Sequence, residues 1–205
     1  MIRDAYRFIA PLLIIALIAA FTRVAWVSIP CVLLAAFVCY FFRNPHREIP
    51  EGNNLVVSPA DGKVVKIVPL PQVGDERGGH AISIFLNVFD VHVNRSPIEG
   101  TLENLEYKRG LFKAAYDDSA SQLNEQNVLE IRGDGMTVVV KQIAGLIARR
   151  VICWKRPGQK LARGELFGLI RFGSRVDVLL PSLVKVTVRV GDRVKGGCSI
   201  LGERE

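Results

Sequence analysis

Three side chains in this sequence could attack a carbonyl or move a proton where the chain also turns. They are Asp61 in Ser58-Pro59-Ala60-Asp61-Gly62-Lys63-Val64, His92 in the stretch running from Asn87 to Pro97, and Ser174 in Arg171-Phe172-Gly173-Ser174-Arg175-Val176-Asp177. The Gly173-Ser174 pair has one distinctive use, an internal acyl shift. Glycine has no Cβ, so the Gly173 carbonyl is open to attack and its backbone can take a strained turn. The Ser174 hydroxyl is then a candidate nucleophile on the peptide bond that precedes it. The plain alternative is an ordinary turn. His92 is one of three histidines, with His46 and His80. It follows an aspartate in the polar stretch from Asp90 to Ser96, directly after an apolar run, which puts it at a strand end; a packed histidine is the plain alternative. Asp61 precedes a glycine, as turn residues commonly do. Spacing alone does not join Asp, His and Ser. The four cysteines, Cys31, Cys39, Cys153 and Cys198, form no Cys-x-x-Cys pair. They predict neither a metal site nor a disulfide scaffold, and fit a reducing compartment.

These residues must be positioned by short strands. Strand-like runs recur between turn signals at Lys63–Val68, Ala81–Leu86, Val128–Ile131, Thr137–Gln142, Leu166–Phe172, Val176–Leu180 and Val184–Val190. Gly133-Asp134-Gly135 reads as a hairpin turn, and 144–151 as a short helical patch. The expectation for residues 48–205 is one mainly β domain, barrel or sandwich-like, with few helices.

Residues 1–47 are different. Hydrophobic residues make up 49% of the 205, and the excess lies here: from Phe8 to Phe42 the only charge is Arg23. The run is too long for a secretory signal, and no small-residue cleavage site follows it. As one helix it would reach about 52 Å, far beyond a hydrocarbon core of about 30 Å. Two helices, 8–22 and 24–42, would reach roughly 25 Å each and form a transmembrane hairpin. A single span with an interfacial helix is the alternative. Arg3 and Arg7 before the run, and Arg43 and Arg47 after it, put both ends in the cytoplasm. The expected location is the cell membrane, with the folded domain on the cytoplasmic face. The net charge of +7 includes a second basic run, Arg149, Arg150, Lys155, Arg156, Lys160 and Arg163, around Trp154. A membrane surface fits it better than nucleic acid, and a solvated face is the plain alternative.

The segments around Asp61, His92 and Ser174, with Val190-Gly191-Asp192-Arg193-Val194-Lys195-Gly196-Gly197, resemble in this order the phosphatidylserine decarboxylase family, in its short bacterial and archaeal-like form. The resemblance runs from about Asn44 to Leu201. It implies a proenzyme in which Ser174 attacks the Gly173 carbonyl to form an ester. β-Elimination then releases the large chain, 1–173. The dehydroalanine left behind hydrolyses to a pyruvoyl group at the head of the small chain, 174–205. The lipid amine forms a Schiff base with this ketone, which takes up electrons as carbon dioxide leaves and the ethanolamine lipid forms. The implied partners are the phospholipid substrate and a heterodimer of the two chains, with further dimerisation open.

Asp61 and His92 match the family's acid–base residues. This chain has Phe-Gly-Ser-Arg where longer bacterial members have Leu-Gly-Ser-Thr. It has Arg95 where they carry the second histidine of Asp-Tyr-His-x-x-His. Arginine is a poor base, so the base for cleavage is left open. Arg95 could instead bind the lipid phosphate or the serine carboxylate. The expectation is that His92 serves decarboxylation, with His80 next in line, and Asp61 serves cleavage. One rival is a lipoyl- or biotinyl-like carrier module, suggested by Asp-Gly-Lys-Val-Val-Lys and Val-Gly-Asp-Arg-Val-Lys-Gly-Gly, although no Met-Lys-Met or Asp-Lys-Ala occurs. Another is a membrane adaptor without catalysis.

Overall fold

The computed structural model describes the whole chain except residues 1, 72–77, 115–116, 118, 134, 147–149 and 172–173. It divides into two units, Met1–His46 and Arg47–Glu205.

The first unit is a turn, Arg3–Ala5, followed by α1 (Tyr6–Phe21) and α2 (Ala25–Phe41). Both helices are apolar on every side: Leu17, Ile18, Phe21, Trp26, Ile29 and Leu33 are exposed. Arg23 ends α1 in the left-handed region, at φ 60°, a position that glycine more often fills. Thr22 Oγ1 donates to the Ile18 carbonyl at 3.0 Å, and Ser28 Oγ donates across to the Ala16 carbonyl at 3.1 Å. The helices hold 16 and 17 residues, so each rises roughly 25 Å. No described helix is long and apolar enough to cross a membrane.

The second unit contains β1 (Leu55–Val57), β2 (Gly62–Pro69), β3 (Gly79–Leu86), β4 (Val93–Arg95), β5 (Gly100–Lys108), α3 (Ala120–Leu123), β6 (Gln126–Gly133) and β7 (Met136–Ala144). It continues with β8 (Val151–Cys153), β9 (Lys160–Leu161), β10 (Leu166–Ile170), β11 (Ser174–Pro181), β12 (Val184–Val186), β13 (Arg193–Val194) and β14 (Ile200–Arg204). Eight strands form one sheet in the order β13-β2-β3-β11-β7-β6-β5-β9, and two three-stranded sheets have the orders β1-β14-β12 and β4-β10-β8. The unit is mainly β, as the turn-punctuated runs predict. Two details differ. Ala144 and Val151 are strand residues rather than ends of a helix, and the run at 184–190 keeps strand geometry only to Val186. The expected turn at 133–135 joins Gly133 to Met136 in register, with Asp134 outside the described residues.

Alternation builds the core. Val138 and Val140 of β7, Val176 and Val178 of β11, and Ile82 and Ile84 of β3 are fully buried in one cluster. The other face of β11 is also covered, and it is polar. Arg175 Nε donates to Asp177 Oδ1 at 2.6 Å, and its Nη2 donates to Ser83 Oγ at 2.7 Å. Ser121 Oγ, from α3, donates to Asp177 Oδ2 at 2.8 Å. Removing one partner of a buried ion pair strands the other charge, at a cost of about 3–5 kcal/mol. Asp177→Asn keeps the shape but leaves Arg175 uncompensated. It should therefore lower unfolding stability by about that amount, read as an earlier midpoint in denaturant titration of the detergent-solubilised chain. An unchanged midpoint would contradict this role.

Candidate active site

Ser174 opens β11, and β11 is held on both sides. Its register partners are Leu86 at the end of β3 and Ala144 at the end of β7. Ile170, four residues earlier, lies in β10 of a different sheet, where its N–H donates to the His92 carbonyl at 3.1 Å. The chain thus crosses from one sheet to another between Ile170 and Ser174, and the Gly173–Ser174 bond falls in the crossing. Gly173 itself lies outside the described residues. Ser174 is fully buried, and its Oγ has no hydrogen-bond partner among the described residues. A buried hydroxyl left unpaired costs about 1–3 kcal/mol and calls for an explanation. A hydroxyl reserved for an acyl shift supplies one.

His92 is also fully buried. Its Nδ1 lies 2.9 Å from the Asp90 carbonyl. A carbonyl only accepts, so Nδ1 carries the proton and Nε2 is the acceptor nitrogen of the neutral ring. The segment holding His92 leaves the end of β3, the strand end that Ser174 faces. Sequence and structure therefore place His92 and Ser174 at one end of the molecule.

Asp61 stands at the same end, on the other side of β3. Lys63 pairs with Phe85, so Gly62 sits about two strand spacings from Ser174, roughly 10 Å. Gly62 has φ 152°, and a Cβ there would lie 2.3 Å from the Phe85 carbonyl oxygen, so this turn requires glycine. The Asp61 carboxylate is engaged: Arg47 Nη2 lies 2.9 and 2.7 Å from its oxygens, and the Gly196 N–H donates to Oδ1 at 2.7 Å. No described hydrogen bond joins Asp61 to Ser174.

Arg95 belongs to the Asp61 group. Its Nη1 donates to the Gly164 carbonyl at 2.8 Å and its backbone N–H to the Pro59 carbonyl at 2.9 Å. Burial, then the neighbouring Arg47, hold its guanidinium below the ordinary arginine range, while Cys198 and Asp61 act in the opposite direction.

The structure thus makes two groups at one sheet end, Ser174 with His92 and Asp61 with Arg47 and Arg95. It removes His80 from contention, because His80 pairs with Leu180 at the far end of β3, six residues or roughly 20 Å from Leu86. The second basic run is not a uniform cationic patch. Lys155 pairs with Glu165, and Arg163 donates to the Gly52 and Pro50 carbonyls.

Sequence reading missed a buried chain of amides. Asn127 Nδ2 donates to Gln142 Oε1 at 2.9 Å, and Gln142 Nε2 donates to Asn94 Oδ1 at 2.8 Å. Gln142 pairs with Val176, one inward position along from Ser174, so this chain braces β4 against the sheet beside the serine. A signal was present: Gln142 occupies an inward place in the alternation Val138, Val140, Gln142. A cavity of about 960 Å³ lies elsewhere, beside Gly133, Met136 and Leu161, and includes none of Asp61, His92 and Ser174. Among the described residues no cluster of His, Cys, Asp or Glu could hold a metal.

A family model described as phosphatidylserine decarboxylase matches residues 34–202. The chain belongs to the phosphatidylserine decarboxylase family. It is 53% identical over 195 residues to a phosphatidylserine decarboxylase proenzyme of Solibacter usitatus, covering 93% of this chain and 92% of the relative. Proenzymes of the same description from Syntrophus aciditrophicus and Symbiobacterium thermophilum are 44% and 46% identical. Those alignments cover 98% of this chain in each case, and 95% and 94% of the relatives. The family match gives no support to the carrier-module alternative. Membership in a phosphatidylserine decarboxylase family instead gives the unpaired Ser174 hydroxyl a reaction to perform.

Proposed function

We propose that this chain is a proenzyme that cuts itself between Gly173 and Ser174 and then decarboxylates phosphatidylserine to phosphatidylethanolamine. The observation that carries the reading is the buried Ser174 Oγ, without a partner, on the first residue of a strand clamped from both sides. Attack by Oγ on the Gly173 carbonyl moves the acyl group from nitrogen to oxygen. Breaking the Ser174 Cβ–Oγ bond releases a carboxylate on chain 1–173. Water then replaces the nitrogen at the new end, with loss of ammonia. The resulting pyruvoyl group supplies a ketone that draws electrons as carbon dioxide leaves. His92, buried and with Nδ1 anchored, is suited to hold and return a proton at Nε2. Arg47, Asp61 and Arg95 together carry one net positive charge, which suits the anionic part of a lipid headgroup. The two chains, 1–173 and 174–205, are the proposed heterodimer.

The apolar pair α1 and α2 is the proposed membrane anchor, with Arg7 and Arg43 at its cytoplasmic base and Arg23 at the far turn. Its shortness is accommodated by local thinning of the bilayer or by snorkelling of Arg23. Mass spectrometry of the small chain tests the central reading: a pyruvoyl terminus on residues 174–205 is expected. Hydroxylamine consumes ketones and should abolish turnover, and added pyridoxal phosphate should not restore it. One intact band, or activity that survives hydroxylamine, would overturn the reading.

A further inference from the structure

Large exposed apolar side chains are unevenly placed on the second unit. Six of those described in Arg47–Glu205 are at least 43% exposed: Phe89, Tyr107, Leu111, Leu123, Leu146 and Val190. Five belong to the end of the sheet where Ser174 lies. Phe89 is three residues past Leu86 and Leu146 two past Ala144, and both Leu86 and Ala144 are register partners of Ser174. Tyr107 is the penultimate residue of β5, where Lys108 pairs with Gln126 and Gln126 with Ile143, beside Arg175. The Leu111 N–H donates to the Leu123 carbonyl at 2.7 Å, and Asn124 Nδ2 ties that segment to the Ala144 carbonyl at 2.7 Å. Only Val190 is elsewhere, beside Val64 on the sheet edge. The opposite end has Leu183, at 36%.

Scattered surface apolar residues are ordinary, but a concentration at one end marks an interaction surface. These five come from separate segments that project past the strand ends, so they make a set of tips rather than a groove for a peptide. Cations lie among them: Arg109 and Arg150 are exposed and close enough to Tyr107 for their charges to act on it. Acids are present too, and they are engaged. Asp90 pairs with Arg193, Glu106 with Lys108, Glu125 with Tyr107, and Asp117 accepts from Ser119. Apolar tips with a tyrosine and arginines match the layering of a bilayer interface, where aromatics sit at headgroup level and cations meet anionic lipid.

We propose that this end of the domain docks on the surface of an anionic lipid bilayer, with Phe89 and Leu146 inserted beside the mouth at Ser174. The proposal deepens the reading of the chain as a decarboxylase of a membrane lipid and rests on it: the lipid need not leave the bilayer to reach the serine end. It is independent of α1 and α2.

The test uses the full chain in vesicles of phosphatidylglycerol and phosphatidylcholine brominated near the top of the acyl chain. In a Trp26→Phe/Trp154→Phe background, Phe89→Trp and Leu146→Trp should be quenched by the brominated lipid severalfold more than Leu183→Trp. Equal quenching at the three positions, or none at 89 and 146, would overturn the docking face whatever the enzyme's activity. The companion measurement compares two substrates. Phe89→Ser/Leu111→Ser/Leu146→Ser should lower turnover of vesicle-borne phosphatidylserine about tenfold or more, while turnover of a monomeric short-chain analogue stays within about twofold, as expected for surface residues outside the reacting groups. Equal loss on both substrates, or a changed oligomeric state with vesicle turnover intact, would refute docking and leave the decarboxylase reading standing. A wild-type chain that turns over neither substrate would instead refute that reading.

Discussion

Ser174→Ala is expected to yield one uncut chain with no decarboxylase activity and no loss of stability. Alanine offers no hydroxyl for the acyl shift and cannot become a pyruvoyl group. The stability half of the expectation comes from the structure. Ser174 Oγ is buried and makes no described hydrogen bond, so the substitution removes an unsatisfied polar atom and breaks nothing. Relief of that penalty is worth up to about 1 kcal/mol, and the backbone pairing of residue 174 with Leu86 and Ala144 needs no side chain. A gel, a decarboxylation assay and a thermal melt on one preparation decide the matter. An uncut variant that also melts much earlier would mean that Ser174 is a structural residue. Carbon dioxide release by the variant would sink the mechanism outright.

His92→Ala is expected to separate the two reactions. Cleavage happens once per chain and should be slowed but still visible as two bands. Turnover needs a proton returned in every cycle and should fall by roughly 10²–10⁴, the usual worth of a positioned acid–base group. The geometry supports a proton carrier here: Nδ1 is committed to the Asp90 carbonyl, which fixes the ring and leaves Nε2 to exchange the proton. Asp61→Ala should show the reverse emphasis, with loss of cleavage. Its carboxylate ties Arg47 to the Gly196 backbone, so without it two guanidiniums face each other at the turn that leads into β2. Full turnover in His92→Ala would move the proton donor to another group, and His80 is too far away to be that group.

What the sequence made legible follows from which interactions are local. The strands at 63–68, 81–86 and 137–142 announce themselves because alternation and turn residues are properties of a few neighbours. The Gly-Ser pair and the histidine stand out by type. Partners supplied by distant segments do not. Arg47 reads as the last charge flanking an apolar run, yet it is the counterion of Asp61. Gln142 reads as one polar residue ending a strand, yet it links Asn127 to Asn94. The helical patch expected at 144–151 failed because its two ends, Ala144 and Val151, were taken by pairing with β11 and β10, and tertiary pairing overrides propensity over so short a stretch.

The place of β11 has a consequence for the lifetime of the finished enzyme. β11 lies between β3 and β7, and further along the chain β14 lies between β1 and β12. A cut after Gly173 assigns β11 through β14 to a separate molecule woven into the middle of the larger one. Before the cut, folding is a first-order event in a single chain. Afterwards, recovery from unfolding is second order, because a 32-residue fragment must find its partner again. Dilution that leaves the proenzyme untouched would slow recovery of the mature form in proportion, while the fragment's exposed β-strands compete by aggregating. The survival of the mature enzyme is then governed by how slowly it opens rather than by an equilibrium, and this is kinetic stability. The single maturation event sets a clock that refolding cannot reset.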